Sequence, residues 1–76
     1  MKKNKKLNKV LKKVLEEYQR ASDKHRPFHS HHEGYCILAE EVSELWDTVK
    51  HNQHKHGKLE AIQVAAMAIR YLVELY

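Results

Sequence analysis

Apolar side chains recur at intervals of three and four residues from Leu7 onward: Leu7, Val10, Leu11, Val14, Leu15 and Tyr18. At 3.6 residues per turn that spacing gathers them on one face of an amphipathic helix. It predicts a first helix from about Lys5 to about Ala21. The pattern breaks between Ser22 and His32. Pro27 lacks an amide donor and turns Arg26 away from helical geometry, so this stretch reads as a connector. Ser30 followed three residues later by Glu33 is a capping-box arrangement. A second helix is therefore expected from about His31 to about His54. Its apolar stripe is Leu38, Val42, Leu45 and Val49, with Tyr35 and Trp46 at one edge. His56 and Gly57 mark its end or the following turn.

A third helix is expected from about Lys58 to about Leu75, and it differs from the others. Ile62, Ala66, Ile69 and Val73 fall on one side. Val64, Tyr71 and Leu75 fall on another, with Ala65 and Leu72 between. One narrow stripe is polar: Glu60, Gln63, Arg70 and Glu74, with Met67 among them. A helix apolar on most sides is buried on most sides. Two other helices can hardly cover it, so a second chain is expected. Ala61, Ala65, Ala66 and Ala68 would allow close helix approach. With two Gly and one Pro, the chain is poor in the residues that turn strands. The expected class is all-α: a single domain over residues 1–76, a three-helix protomer assembling into an oligomeric bundle.

Size supports the same expectation. A chain of 76 residues is marginal on its own and gains from a disulfide, a metal or self-association. Cys36 is the one cysteine, which excludes an intramolecular disulfide and gives no sign of an oxidising compartment. It is expected among apolar neighbours in the second helix. No apolar run approaches the roughly 20 residues of a membrane span. No apolar segment of the signal-peptide kind follows the basic start. A cytoplasmic protein with no membrane partner is expected.

Charge changes the picture less than it first promises. The formal net charge is +4 and the pI about 9.3. Seven of the 14 Lys and Arg lie in the first 13 residues, as Lys2, Lys3, Lys5, Lys6, Lys9, Lys12 and Lys13. The other seven face all ten acidic residues, so the remainder of the chain carries −3. No aromatic residue interleaves those lysines. A solvated helix face is expected there, and nucleic acid is not the expected partner. Seven histidines are present, four of them (His25, His29, His31 and His32) crowded near the connector. Their spacing fits no standard zinc motif, and solvated or capping roles are expected.

The carboxylates carry the chemistry. Glu40, Glu41 and Glu44 form E-E-x-x-E on the second helix, and Glu41 and Glu44 point to one side. Glu41 falls at the margin of the apolar stripe, where a carboxylate must be paired, protonated or bound to a cation. Glu60 and Gln63 repeat the three-residue spacing on the third helix. Antiparallel packing, which a short connector favours, lets the two pairs face each other. Hard oxygen ligands of this kind suit Mg²⁺ or Mn²⁺. The same pattern also occurs on plain solvated helix faces.

Those pairs, with Phe28-His29 before them and Arg70-Tyr71-Leu72-Val73-Glu74-Leu75 after, resemble the MazG-like all-α nucleotide pyrophosphohydrolases. That superfamily includes dCTP pyrophosphatase and the dimeric dUTPases. The resemblance runs from about Tyr18 to Tyr76. It implies a Mg-dependent enzyme that converts a nucleoside triphosphate to the monophosphate and pyrophosphate in nucleotide-pool housekeeping. It implies metal ligands at Glu41, Glu44, Glu60 and Gln63, and a water-activating carboxylate at Glu41 or Glu40. Candidate phosphate ligands are Arg70, Lys50 and Lys58. Arg70 lies on the same face as Gln63, but it also stands four residues before Glu74, the spacing of an ion pair. Candidate base-binding residues are Phe28, His29 and Trp46. Trp46 and Tyr35 are more often core anchors than base platforms, and Phe28-His29 is the better candidate for the base. The family pattern has Asp where this chain has Gln63, which removes one formal charge. The alternative is therefore a non-catalytic nucleotide-binding protein that sequesters a nucleotide or nucleotide-derived signal, a role that would suit a phage-encoded protein.

Overall fold

The structure, a computed structural model, describes residues 4–76. Lys2 and Lys3 of the basic start lie outside the described residues. The described residues form three helices and no strands: α1 (Lys5–Lys24), α2 (His31–Lys50) and α3 (His54–Leu75).

Local chemistry sets the helix ends. The Asn4 side chain accepts a hydrogen bond from the Leu7 amide at 2.8 Å and caps α1. The helix runs on to Lys24, one turn past the expected end at Ala21. It stops at His25, which is extended, two residues ahead of Pro27. Ser30 caps α2 through the Glu33 amide at 3.0 Å, as the capping box requires. The Glu33 carboxylate reaches back one residue further than usual, accepting from the His29 amide at 2.8 Å.

The second boundary departs from expectation. α2 ends at Lys50, and α3 begins at His54 instead of Lys58. Asn52 takes a left-handed conformation with φ 55°, which asparagine tolerates better than most residues. That residue turns the chain before His56 and Gly57 are reached. Gly57 therefore belongs to the first turn of α3. There a Cβ would stand 2.8 Å from Thr48 Oγ1.

α3 is the central element. It packs against both neighbours, while the backbones of α1 and α2 make no close approach. Gly34 on α2 lies against Tyr71 and Leu75 near the end of α3, and Gly57 on α3 lies against Thr48 near the end of α2. These contacts make α2 and α3 antiparallel. The buried apolar side chains are few: Val14, Ala21, Phe28, Ala66 and Met67. Tyr18, Ile37, Leu38, Ile62, Ala65, Ile69, Tyr71 and Leu75 pack around them half-buried.

The polar stripe of α3 turns inward. Glu60 and Arg70 are buried, and Leu59, Leu72 and Val73 are exposed. The stripe faces the gap between α1 and α2, where its charges find partners. Along α2, Leu38 and Leu45 are half-buried, while Val42 and Val49 are exposed. Tyr35 and Trp46 are exposed as well, so neither anchors the core. Cys36 is exposed on α2 and does not sit among apolar neighbours.

Gly34 fixes the α2–α3 distance. A Cβ there would meet Leu75 Cδ1 and Tyr71 Cδ2 at 2.8 Å and Phe28 Cδ2 at 3.2 Å. Overpacking typically costs about 1–3 kcal/mol, against about 1 kcal/mol that Ala gains over Gly in a helix. Gly34→Ala is therefore expected to lower stability by about 1 kcal/mol, read as a reduced urea midpoint.

Candidate functional site

α1 and α2 flank α3 with no close approach of their backbones, which leaves a cleft of about 370 Å³ between them. Gln63, Met67 and Arg70 of α3 form its floor. Glu17, Arg20 and Ala21 form the α1 wall, and Ile37, Glu40 and Glu41 form the α2 wall. His25, Arg26 and Phe28 of the connector close one end, with Glu33 beside them.

The acidic residues meet at the other end. One carboxylate oxygen each from Glu41, Glu44 and Glu60 lie within 4.8 Å of one another. Antiparallel packing brings this about, since the three-residue spacing on α2 faces the first turns of α3. Like charges at such range repel. Glu41 is pushed up to about 7, first by burial and then by Glu44 and Glu60. Glu44 is raised as well, by partial desolvation and by Glu60. His56, one turn earlier on α3, places Nε2 3.1 Å from Glu60 Oε1.

Gln63 bridges the two helices. With its amide nitrogen facing the carboxylates, it donates to Glu41 Oε2 at 2.9 Å and Glu60 Oε2 at 3.1 Å. That orientation gives each amide atom a partner of opposite kind. Rotation of the amide by half a turn would present its oxygen instead.

The other sequence candidates divide. Glu40 lines the cleft beside Glu41. Phe28 is buried and lines it too, with the Arg70 guanidinium 4.3 Å from its ring centroid. Arg70 is only 3% exposed and fully engaged. Nε and one terminal nitrogen donate to the two Glu74 oxygens at 2.8 and 3.1 Å. The same terminal nitrogen donates to the Arg26 carbonyl at 3.0 Å. The Phe28 amide donates to Glu74 at 2.8 Å, so the pair latches the connector onto α3. His29, Trp46, Lys50 and Lys58 do not line the cleft. Lys50 pairs with Asp47 at 3.3 Å and lies 6.0 Å from the Trp46 ring centroid.

Sequence reasoning missed Glu17, Arg20, Arg26 and Met67 as cleft residues. Arg20 forms two hydrogen bonds to Glu17, at 2.9 and 2.6 Å. Arg26 forms two to Glu33, at 3.0 and 2.7 Å. With the His29 amide, that contact holds Glu33 down to about 2. A signal existed for the first pair, which has the i, i+3 spacing of a helix contact. Arg26 and Glu33 are joined only once the connector folds back.

Compared with protein-family models, curated proteins and solved structures, the chain matches none of them.

Proposed function

We propose that this chain is a Mg²⁺- or Mn²⁺-dependent nucleoside triphosphate pyrophosphohydrolase of the MazG-like kind. It would cleave an NTP or dNTP to the monophosphate and pyrophosphate, as a cytoplasmic homo-oligomer in nucleotide-pool housekeeping. The convergence of Glu41 and Glu44 from α2 on Glu60 from α3 carries this reading.

The donor set fits the cation. Three carboxylates crowd together at one end of a cleft, and two of them hold protons more tightly than usual because of burial first and mutual repulsion second. Hard oxygen donors of this kind suit Mg²⁺ or Mn²⁺, with Gln63 able to add an amide oxygen. When bound, the cation supplies charge neutralisation for the phosphates of a nucleotide. A carboxylate not taken up by the cation, Glu41 or Glu40, would accept the proton of the attacking water. Glu40 stands beside Glu41 on the same wall. Phe28, Ile37 and Met67 offer an apolar wall to a base. Arg20 and Arg26 are in solvent-exposed pairs that contribute little to stability, so a phosphate can recruit either of them. Arg70 holds the connector that carries Phe28.

The test is pyrophosphate release from a panel of NTPs and dNTPs with Mg²⁺ or Mn²⁺. The expected result is turnover of at least one. No turnover of any, at concentrations where the nucleotide binds, excludes the enzyme.

Gln63 favours a second reading. A neutral amide between Glu41 and Glu60 relieves repulsion that a fourth carboxylate would add, and it weakens the hold on a cation. The protein would then bind and sequester a nucleotide or nucleotide-derived signal without cleaving it. Gln63→Asp separates the two. For an intact hydrolytic site it should tighten Mn²⁺ binding by about tenfold and raise turnover, while lowering metal-free stability. Tighter Mn²⁺ binding with nucleotide bound and still no hydrolysis favours sequestration.

A further inference from the structure

The first half of α1 takes no part in the core. Leu7, Val10, Leu11, Val14, Leu15 and Tyr18 share one face of the helix, yet only Val14 of the six is buried. Every residue from Asn4 to Lys13 is exposed. Leu7, Val10, Leu11 and Leu15 are between 43% and 57% exposed. α3 covers the stripe at Val14 and leaves it bare from Leu7 to Leu11. At 100° per residue the four bare side chains span about 140° of arc, and Lys5, Lys6, Lys9, Lys12 and Lys13 fill about 120° on the opposite side. Lys5 and Lys12 border one edge of the stripe, and Lys6 and Lys13 border the other.

We infer that this half of α1 lies on an anionic lipid surface, with Leu7, Val10 and Leu11 in the acyl boundary and the flanking lysines at headgroup phosphates. Among the described residues no helix is long and apolar enough to cross a membrane. Lying in the interface makes a different demand, an apolar stripe on a strongly basic helix.

Negative charge is what the segment lacks. The first acidic residue of the chain is Glu16, and α1 has none in its first turn. Among the described residues none of the five lysines pairs with a carboxylate. Lys5 repels Lys9, and Lys9 repels Lys13, each one turn away. The N-terminal end of the helix dipole is itself positive. An anionic surface relieves both strains, whereas a second copy would bring the same lysines and add to them.

The side chains also select the kind of anion. From Lys5 to Leu15 there is no Arg and no aromatic residue. Protein interfaces favour those residues and are poor in Lys. A carboxylate or phosphate held in one geometry favours the Arg fork. Lysines on flexible stems suit a fluid array of headgroups, and their methylenes can lie along the apolar stripe. A nucleic acid would engage the lysines and leave the leucines in water. Attachment to lipid needs neither the cation nor the nucleotide.

Flotation of the full chain with vesicles tests this. Binding is expected to vesicles of phosphatidylglycerol and phosphatidylcholine in equal parts. It should be at least about tenfold weaker to phosphatidylcholine alone, and weaker in about 0.5 M salt than at low salt. Lys9→Gln, Lys12→Gln and Lys13→Gln together should weaken it at least about tenfold. Leu7→Gln with Leu11→Gln should do the same. All five positions are exposed, so the helical circular dichroism should be retained. A fluorescence readout decides the matter even where the leucine variant loses helix. With Trp46→Phe as background, Leu11→Trp should shift its emission to the blue on the mixed vesicles. No flotation, flotation indifferent to the leucine substitutions, or an unshifted emission from position 11 overturns the inference. So does tighter binding to a DNA duplex that the leucine substitutions leave unchanged.

Discussion

Arg70→Met is expected to cost about 3–5 kcal/mol of stability and to lower the thermal midpoint steeply. Arg70 is 3% exposed and satisfies two groups at once: the Glu74 carboxylate and the Arg26 carbonyl. Methionine fills much of the volume but leaves the Arg26 carbonyl without its donor and Glu74 with the Phe28 amide alone. Glu74 then becomes an uncompensated charge in a half-buried site. Burial alone would raise Glu74, but hydrogen bonds from Arg70 and the Phe28 amide outweigh it and hold the carboxyl below its usual range. A domain of this size has a total stability of only roughly 4–11 kcal/mol, so the loss is a large share of the whole. The double variant with Glu74→Leu should recover part of it, because no charge remains to be paired. Thermal unfolding by circular dichroism reads both. A wild-type-like midpoint for Arg70→Met would show that the latch does not hold the connector.

Glu41→Gln is expected to move stability and activity in opposite directions. It removes one of three crowded charges, so the metal-free protein should become more stable at pH 8. Pyrophosphate release should fall by at least about 100-fold. The pH dependence follows from the direction of the shift. Glu41 sits near 7 in the folded chain against an ordinary value of 4.5. A group raised by folding contributes stability in full below the lower value, and that contribution is lost as pH rises through the upper one. Metal-free wild type should therefore lose stability between about pH 5 and 8, and Glu41→Gln should flatten that slope. Glu44 acts in the same direction. Glu74 is held low, so its contribution is lost only below the ordinary carboxylate range and does not enter this window. Added Mn²⁺ should raise the wild-type midpoint more at pH 8 than at pH 5.5, and should do little for Glu41→Gln. Urea titrations at the two pH values check each part.

The helices were legible because their signals are local. Periodic apolar residues, the Ser30 cap and Pro27 all act within a few positions. The α2–α3 turn was not legible in the same way. Gly57 reads as a stop signal, yet it serves a close helix approach, and Asn52 makes the turn. The carboxylate cluster was legible as spacing on two helices, which antiparallel packing then brings together. The role of Arg70 depended on Phe28 and Arg26, more than 40 positions away in sequence. Spacing alone left it between a phosphate ligand and a partner of Glu74. The placement of Trp46 and Tyr35 failed for another reason. An apolar stripe tells which side chains share a helix face, but not whether the rest of this chain covers that face.

The central claim is that Glu41, Glu44 and Glu60 form a divalent-cation site. Mn²⁺ titration followed by electron paramagnetic resonance, with loss of the free-ion signal as the readout, tests it most directly. The account predicts one bound Mn²⁺ per chain, competed by Mg²⁺. Affinity should fall by at least about tenfold in Glu41→Gln, Glu44→Gln and Glu60→Gln alike. Mn²⁺ that stays free at millimolar concentration, or that binds equally well to all three variants, contradicts the account.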